Sequence, residues 1–124
     1  MSPIVWRLLL LCAFCVATWG FLKDVSGIPS AWLPNDKVMH GLVFLTLTTL
    51  WQASFRQPWL YPVLVMAGYG ALIEVLQGMT PVRSADAMDW LADMLGVALA
   101  FLIWPLFCRW FSIQQVNIAF TSQK

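Results

Sequence analysis

The sequence predicts an all-α integral membrane protein, a bundle of four transmembrane helices. Three observations lead there. Of 124 residues, 60% are hydrophobic and only 10% are charged, where a soluble domain carries about 25% charged residues. The apolar residues fall into four runs, each close to the roughly 20 residues that cross a hydrocarbon core. The chain has eight tryptophans, mostly near the ends of these runs, at the headgroup level where the indole ring is half wet.

The first run covers about residues 4–22 and is interrupted only by Arg7. A cleavable signal peptide is its rival reading, since Arg7 precedes an apolar stretch over residues 8–16. Cys15-Val16-Ala17 is a poor cleavage signal, so an uncleaved helix is expected. Gly27, Pro29 and Pro34 then mark a loop. The second run covers about residues 38–55 and ends at the tight turn Arg56-Gln57-Pro58. The third covers about residues 59–78. Met79 to Asp86 is a polar loop containing Pro81, and the fourth run covers about residues 88–107. Residues 1–108 therefore read as one transmembrane domain. Residues 109–124 mix Trp110, Phe111, Ile113, Val116, Ile118 and Phe120 with Gln114, Gln115 and Asn117. They read as an interfacial helix or a flexible cytoplasmic tail.

The chain's formal net charge is +1. With no Lys/Arg cluster and no Gly-rich phosphate loop, nucleic acid is excluded as a partner and the bilayer is the expected one. With the N-terminus inside, Arg7, Arg56, Arg109 and Lys124 are cytoplasmic, against Lys23, Lys37 and Arg83 outside, and every acidic residue is outside. The positive-inside bias puts both termini in the cytoplasm. The expected location is a bacterial inner membrane. Cys12 and Cys15 form a C-x-x-C inside an apolar run, where the reactive thiolate is disfavoured.

The informative residues are the few ionisable ones. Asp36, Lys37 and His40 stand where the second run begins, Asp36 and His40 one helical turn apart. Glu74 and Gln77 lie near the end of the third. Arg83, Asp86, Asp89 and Asp93 lead into the fourth, the three aspartates forming one helical stripe. An antiparallel bundle brings all three groups to one membrane side. A charge deep in a spanning helix costs on the order of 2.5–3.5 kcal/mol on insertion scales. Glu74, Asp89 and Asp93 must therefore pair inside the bundle or line a wet cavity, with Arg83, Lys37 and His40 as partners. Simpler duties compete for several of them. Asp36 and Asp86 are favoured N-cap types, and Lys37 suits an interface anchor. The whole set could be a polar lock holding the helices together. Gly70, Glu74 and Gly78 share a stripe, as do Asp89, Asp93, Gly96 and Ala100, which predicts close packing of the third and fourth helices.

These residues carry a resemblance. Asp36-Lys37-x-x-His40, then Glu74-x-x-Gln77, then Arg83-x-x-Asp86-x-x-Asp89-x-x-x-Asp93-x-x-Gly96 resemble the VanZ-like family of small membrane proteins over about residues 36 to 105. The resemblance implies a multi-span cell-envelope protein. It also implies a connection to glycopeptide resistance, because the family's namesake is associated with resistance to teicoplanin. This chain departs from the family's usual pattern in carrying an acid at Asp93, where asparagine is expected.

Three functions remain open on these residues. In the first, Asp36, Lys37, His40, Glu74, Gln77, Arg83, Asp86, Asp89 and Asp93 line an outward-facing polar pocket. That pocket would bind the headgroup of an envelope lipid or lipid-linked wall precursor, with Lys37 and Arg83 on a phosphate. In the second, the protein is an enzyme in which His40 and one carboxylate, Glu74 or Asp89, act as acid and base. No motif calls for an organic cofactor, and the remaining acids could hold a divalent cation. In the third, a transporter, charge would be expected on both membrane halves, and here it is on one. The oligomeric state is not encoded in any feature of the chain.

Overall fold

The computed structural model describes residues 3–24, 26–29, 35–81 and 84–121, with side chains through Trp110. The fold is all-α, with four helices: α1 (Pro3–Leu22), α2 (Asp36–Ser54), α3 (Leu60–Gly78) and α4 (Ala87–Thr121). Their starts and stops match the four apolar runs within a few residues. The exception is the end of α4. Its backbone stays helical through Pro105 to Thr121, so the fourth run and the first part of the expected tail form one continuous element.

Helix ends are set by local chemistry. The Asn35 side chain caps α2 by accepting from the Val38 N–H at 3.3 Å, so Asp36 stands inside the first turn and not at the cap. An acid in that turn still complements the helix dipole. Asp86 does cap α4: its Oδ1 accepts from the Met88 N–H at 2.9 Å. The α2–α3 connection is short because Pro58 cannot continue a helix that ends at Ser54.

α1, α3 and α4 up to Trp110 are each long and apolar enough to cross a membrane. By the same measure α2 is not, which departs from four equivalent spans. At 1.5 Å per residue it is long enough, about 28 Å, but it carries His40, three threonines, Gln52 and Ser54. Its position explains the tolerance. α2 packs on all three other helices, most extensively on α4 and then on α1, whereas α1 and α4 make no close backbone approach to each other. Several of its hydroxyls also bond back to their own helix: Thr46 to the Leu42 carbonyl, Thr49 to Leu45 and Ser54 to Leu50. That satisfies polar groups without any outside partner.

The apolar core joins Leu10, Ala17 and Phe21 of α1 to Phe44 and Leu47 of α2, Met66 and Ile73 of α3 and Val97 of α4. Many other large apolar side chains point outward, among them Leu8, Val16, Leu64, Leu72, Leu95 and Leu102. That is the pattern of helices whose outer faces meet lipid.

The tightest approach is between α2 and α4, not α3 and α4 as the small-residue stripes suggest. A Cβ added at Gly96 would run into the Gly41 carbonyl oxygen, and it would stand 3.0 Å from the Leu45 amide nitrogen. Gly70, on α3, makes room for a side chain instead: its Cβ would stand 2.7 Å from Asp93 Oδ2. The stripe on α4 is therefore shared, with Asp93 turned towards α3 and Gly96 against α2.

Candidate functional site

The close contact of Gly41 with Gly96 has a direct consequence one residue away. It draws the start of α2 against the second turn of α4, and His40 meets Asp93. Both side chains are fully buried. His40 Nδ1 and Asp93 Oδ1 are 2.9 Å apart. Glu74 comes from α3 on the same side, its Oε1 3.9 Å from the same ring nitrogen. Phe21 covers the imidazole, with ring centroids 4.3 Å apart.

A second layer closes the site from the connection between α3 and α4. Lys37 Nζ donates to Asp86 Oδ2 at 2.7 Å and to Asp89 Oδ1 at 2.8 Å. The Asp86 amide donates to Glu74 Oε2 at 2.8 Å. Asp86 thus touches three helices: it caps α4, pairs with Lys37 of α2 and holds Glu74 of α3. The Lys37 ammonium and the Met88 N–H hold the Asp86 carboxyl below the ordinary carboxylate range. Because its folded value is depressed, this contribution is present at neutral pH and is lost only as pH falls below the usual carboxylate range.

Of the residues singled out by sequence, the structure brings together His40, Glu74, Asp89 and Asp93, with Lys37 and Asp86 above them. Asp36 is exposed, yet it shares a group with His40 and Asp89 whose ligand-type atoms all lie within 4.8 Å of one another; His40, Glu74 and Asp93 form a second such group. Arg83 lies outside the described residues. His40 and Asp93 are wholly interior and Asp89 nearly so, so they form a buried cluster. Charged groups in lipid are pushed inward for the reason already given, and here the bundle closes around them.

Gln77 has a structural duty. Its Nε2 donates to the Phe21 carbonyl at 3.0 Å, one of the last carbonyls of α1, which have no partner within their own helix. Gln77→Leu leaves that buried acceptor unpaired and should cost about 1–3 kcal/mol. Thermal unfolding in detergent measures it, and an unchanged midpoint would refute the tie.

Three buried atoms of the cluster have no hydrogen-bond partner: His40 Nε2, Glu74 Oε1 and Asp93 Oδ2. Buried polar atoms are normally satisfied. Sequence reasoning paired His40 with Glu74 or Asp89; the structure pairs it with Asp93, one turn deeper. The i+4 step from Asp89 to Asp93 was the available signal. Nothing in the sequence marked Phe21 as the cover of the imidazole.

Comparison with protein families adds the decisive observation: the VanZ/LLP1 family model matches residues 5–108, most of the chain and all of the site. The chain belongs to the VanZ/LLP1 family. Curated proteins and solved structures gave no match. In this VanZ/LLP1 protein four of the polar residues that carried the resemblance, His40, Glu74, Asp89 and Asp93, are buried between α2, α3 and α4, and their donor atoms could coordinate a cation.

Proposed function

We propose that this VanZ/LLP1 protein is a membrane enzyme acting on a lipid-linked cell-envelope substrate, with His40 as its general acid–base. One observation carries the reading: a fully buried imidazole held at 2.9 Å by the Asp93 carboxylate, with Glu74 beside it. A carboxylate on one ring nitrogen fixes tautomer and orientation and stabilises the imidazolium formed when the ring takes a proton. Asp93 is then a positioning residue, and Glu74 the group of opposite protonation state. Asp89, tied to Lys37, belongs to the entrance.

A pure headgroup-binding pocket is less well supported. Lys37 would be its phosphate ligand, and Lys37 is already held by two carboxylates. The same ion pairs suggest how a substrate enters. Lys37 and Asp86 are each nearly half exposed. An anionic headgroup competing for Lys37 would loosen Asp86, whose amide holds Glu74. With both termini cytoplasmic, this entrance faces outward and the substrate lies in the outer leaflet.

The test compares envelope lipids and wall precursors in a deletion strain complemented with wild type or with His40→Gln, after matching membrane levels. Wild type should restore the changed species and His40→Gln should not. A normally inserted His40→Gln that restores the profile would refute the enzyme reading and leave a structural lock. Teicoplanin susceptibility of the same strains reads whether the affected lipid is a wall precursor.

A further inference from the structure

Among the described residues, the buried carboxyl groups of this site outnumber its buried cationic partners. Glu74 and Asp93 place two carboxyl groups against one imidazole, away from water. The nearest lysine, Lys37, is committed to Asp86 and Asp89. Among the described residues no arginine approaches: Arg7 stacks on Phe55 at the other end of the bundle. An ionised carboxylate in such surroundings needs a paired cation, a bound proton or a metal.

We propose that His40, Glu74 and Asp93 bind one divalent transition-metal ion, of the Zn2+ or Mn2+ class. The site is the one assigned above to catalysis; with the ion bound, His40 Nδ1 is a ligand in place of the general acid–base, and the ion would be the site's cofactor. Three features support it beyond the presence of acids. The donor atoms of the three residues all lie within 4.8 Å of one another. An ion about 2.0–2.2 Å from each of its ligands separates neighbouring donors by about 3.0–3.5 Å. His40 Nδ1 stands 2.9 Å from Asp93 Oδ1 and 3.9 Å from Glu74 Oε1, on either side of that range, so small side-chain rotations suffice. Glu74 Oε1 is also a buried acceptor with no partner, held against the imidazole, and Asp93 Oδ2 is a second. A ligand that accepts lone pairs from both satisfies what the protein leaves open.

Ligand chemistry sets the ion class. One imidazole nitrogen with two carboxylate oxygens suits Zn2+ or Mn2+, whereas Mg2+ and Ca2+ prefer oxygen alone. The remaining ligand positions would be free for water or a substrate oxygen, which is how catalytic metal sites differ from structural ones. His40 also belongs to a second group with Asp36 and Asp89 whose donor atoms lie within 4.8 Å of one another. Glu74 Oε2 is fixed in turn by the Asp86 amide, leaving its other oxygen to point inward. Gly70 completes the arrangement, because a side chain there would occupy the space beside Asp93 Oδ2.

The experiment uses the full chain, purified in detergent, stripped with a chelator and dialysed against Zn2+ or Mn2+ alone. Elemental analysis then gives metal per chain, and thermal unfolding gives the shift on binding. About one ion per chain is expected, with a raised midpoint. Asp93→Asn and Glu74→Gln should each weaken binding by roughly tenfold or more, and Asp24→Asn, an exposed acid after α1, should bind as wild type. Two variants guard against one that misfolds, and each is compared only if monodisperse and helical. No saturable binding to wild type would overturn the proposal, as would equal binding by well-folded Asp93→Asn and Glu74→Gln. The outcome is separable from that of the enzyme reading. If metal is absent but His40→Gln still fails to restore the lipid profile, the inference falls and the enzyme reading stands. If metal binds but the lipid profile ignores His40, the ion site stands and the enzyme reading falls.

Discussion

Gly96→Val should prevent this protein from accumulating in the membrane. A Cβ at position 96 would overlap the Gly41 carbonyl oxygen and crowd the Leu45 amide nitrogen. Both obstacles are backbone, so no rotamer change relieves them, and α2 must move away from α4 as a body. Overpacking a core typically costs about 1–3 kcal/mol, occasionally more. Here the upper end is expected, because the same displacement stretches the 2.9 Å contact between His40 and Asp93. Gly20 provides the contrast. Nothing lies within 4 Å of its Cβ position, so Gly20→Ala should be neutral or gain about 0.5–1 kcal/mol from helix propensity. Membrane levels, with thermal midpoints for whatever can be purified, decide the matter. If Gly96→Val matches wild type in both, the α2–α4 contact is not what holds the bundle.

Removal of the imidazole should be nearly as severe. His40→Ala leaves Asp93 interior without its partner, beside Glu74, which is also buried. Breaking a buried pair from one side costs about 3–5 kcal/mol, largely from the polar group stranded by the change. Replacing both partners with apolar residues, His40→Phe with Asp93→Leu, should recover much of that stability, since no stranded group remains. The double variant separates two roles that single substitutions confuse. A polar lock predicts that a stable double variant keeps its biological effect. A working site predicts a stable but inactive protein. Thermal unfolding of the two variants beside the lipid profile of the double variant gives the answer. Full stability in His40→Ala would show that the pair contributes little.

Much of this was legible in the sequence because lipid imposes strict rules. Only helices satisfy their own backbone in hydrocarbon, so apolar run lengths were enough to locate α1, α3 and α4. The few ionisable residues had to gather, and they did: His40, Glu74, Asp89 and Asp93 meet on one side. Other features depended on three-dimensional facts that a one-dimensional pattern does not hold. Rotation of α4 about its axis decided that Gly96 would meet α2 while Asp93 turned towards α3. The cap of α2 fell to Asn35 and not to its neighbour Asp36, two residue types with nearly equal capping preference. The pairing of His40 with Asp93 in place of Asp89 followed from depth along α4, which spacing leaves open by one turn. Beyond Phe107 the sequence left helix and tail both open because polar residues are mixed among apolar ones, and α4 continues there as one helix.

The polarity of α2 reaches beyond the finished structure to the way the chain is made. α2 is the helix that composition alone would not commit to lipid, and its largest partner surface belongs to α4. In chain order α4 is synthesised after α2 and α3. Until it emerges, the His40 end of α2 has no Asp93, and the Gly41 backbone has no neighbour. The growing protein therefore carries a half-accommodated helix while α3 is made, and the arrival of α4 turns a poor span into the centre of the bundle.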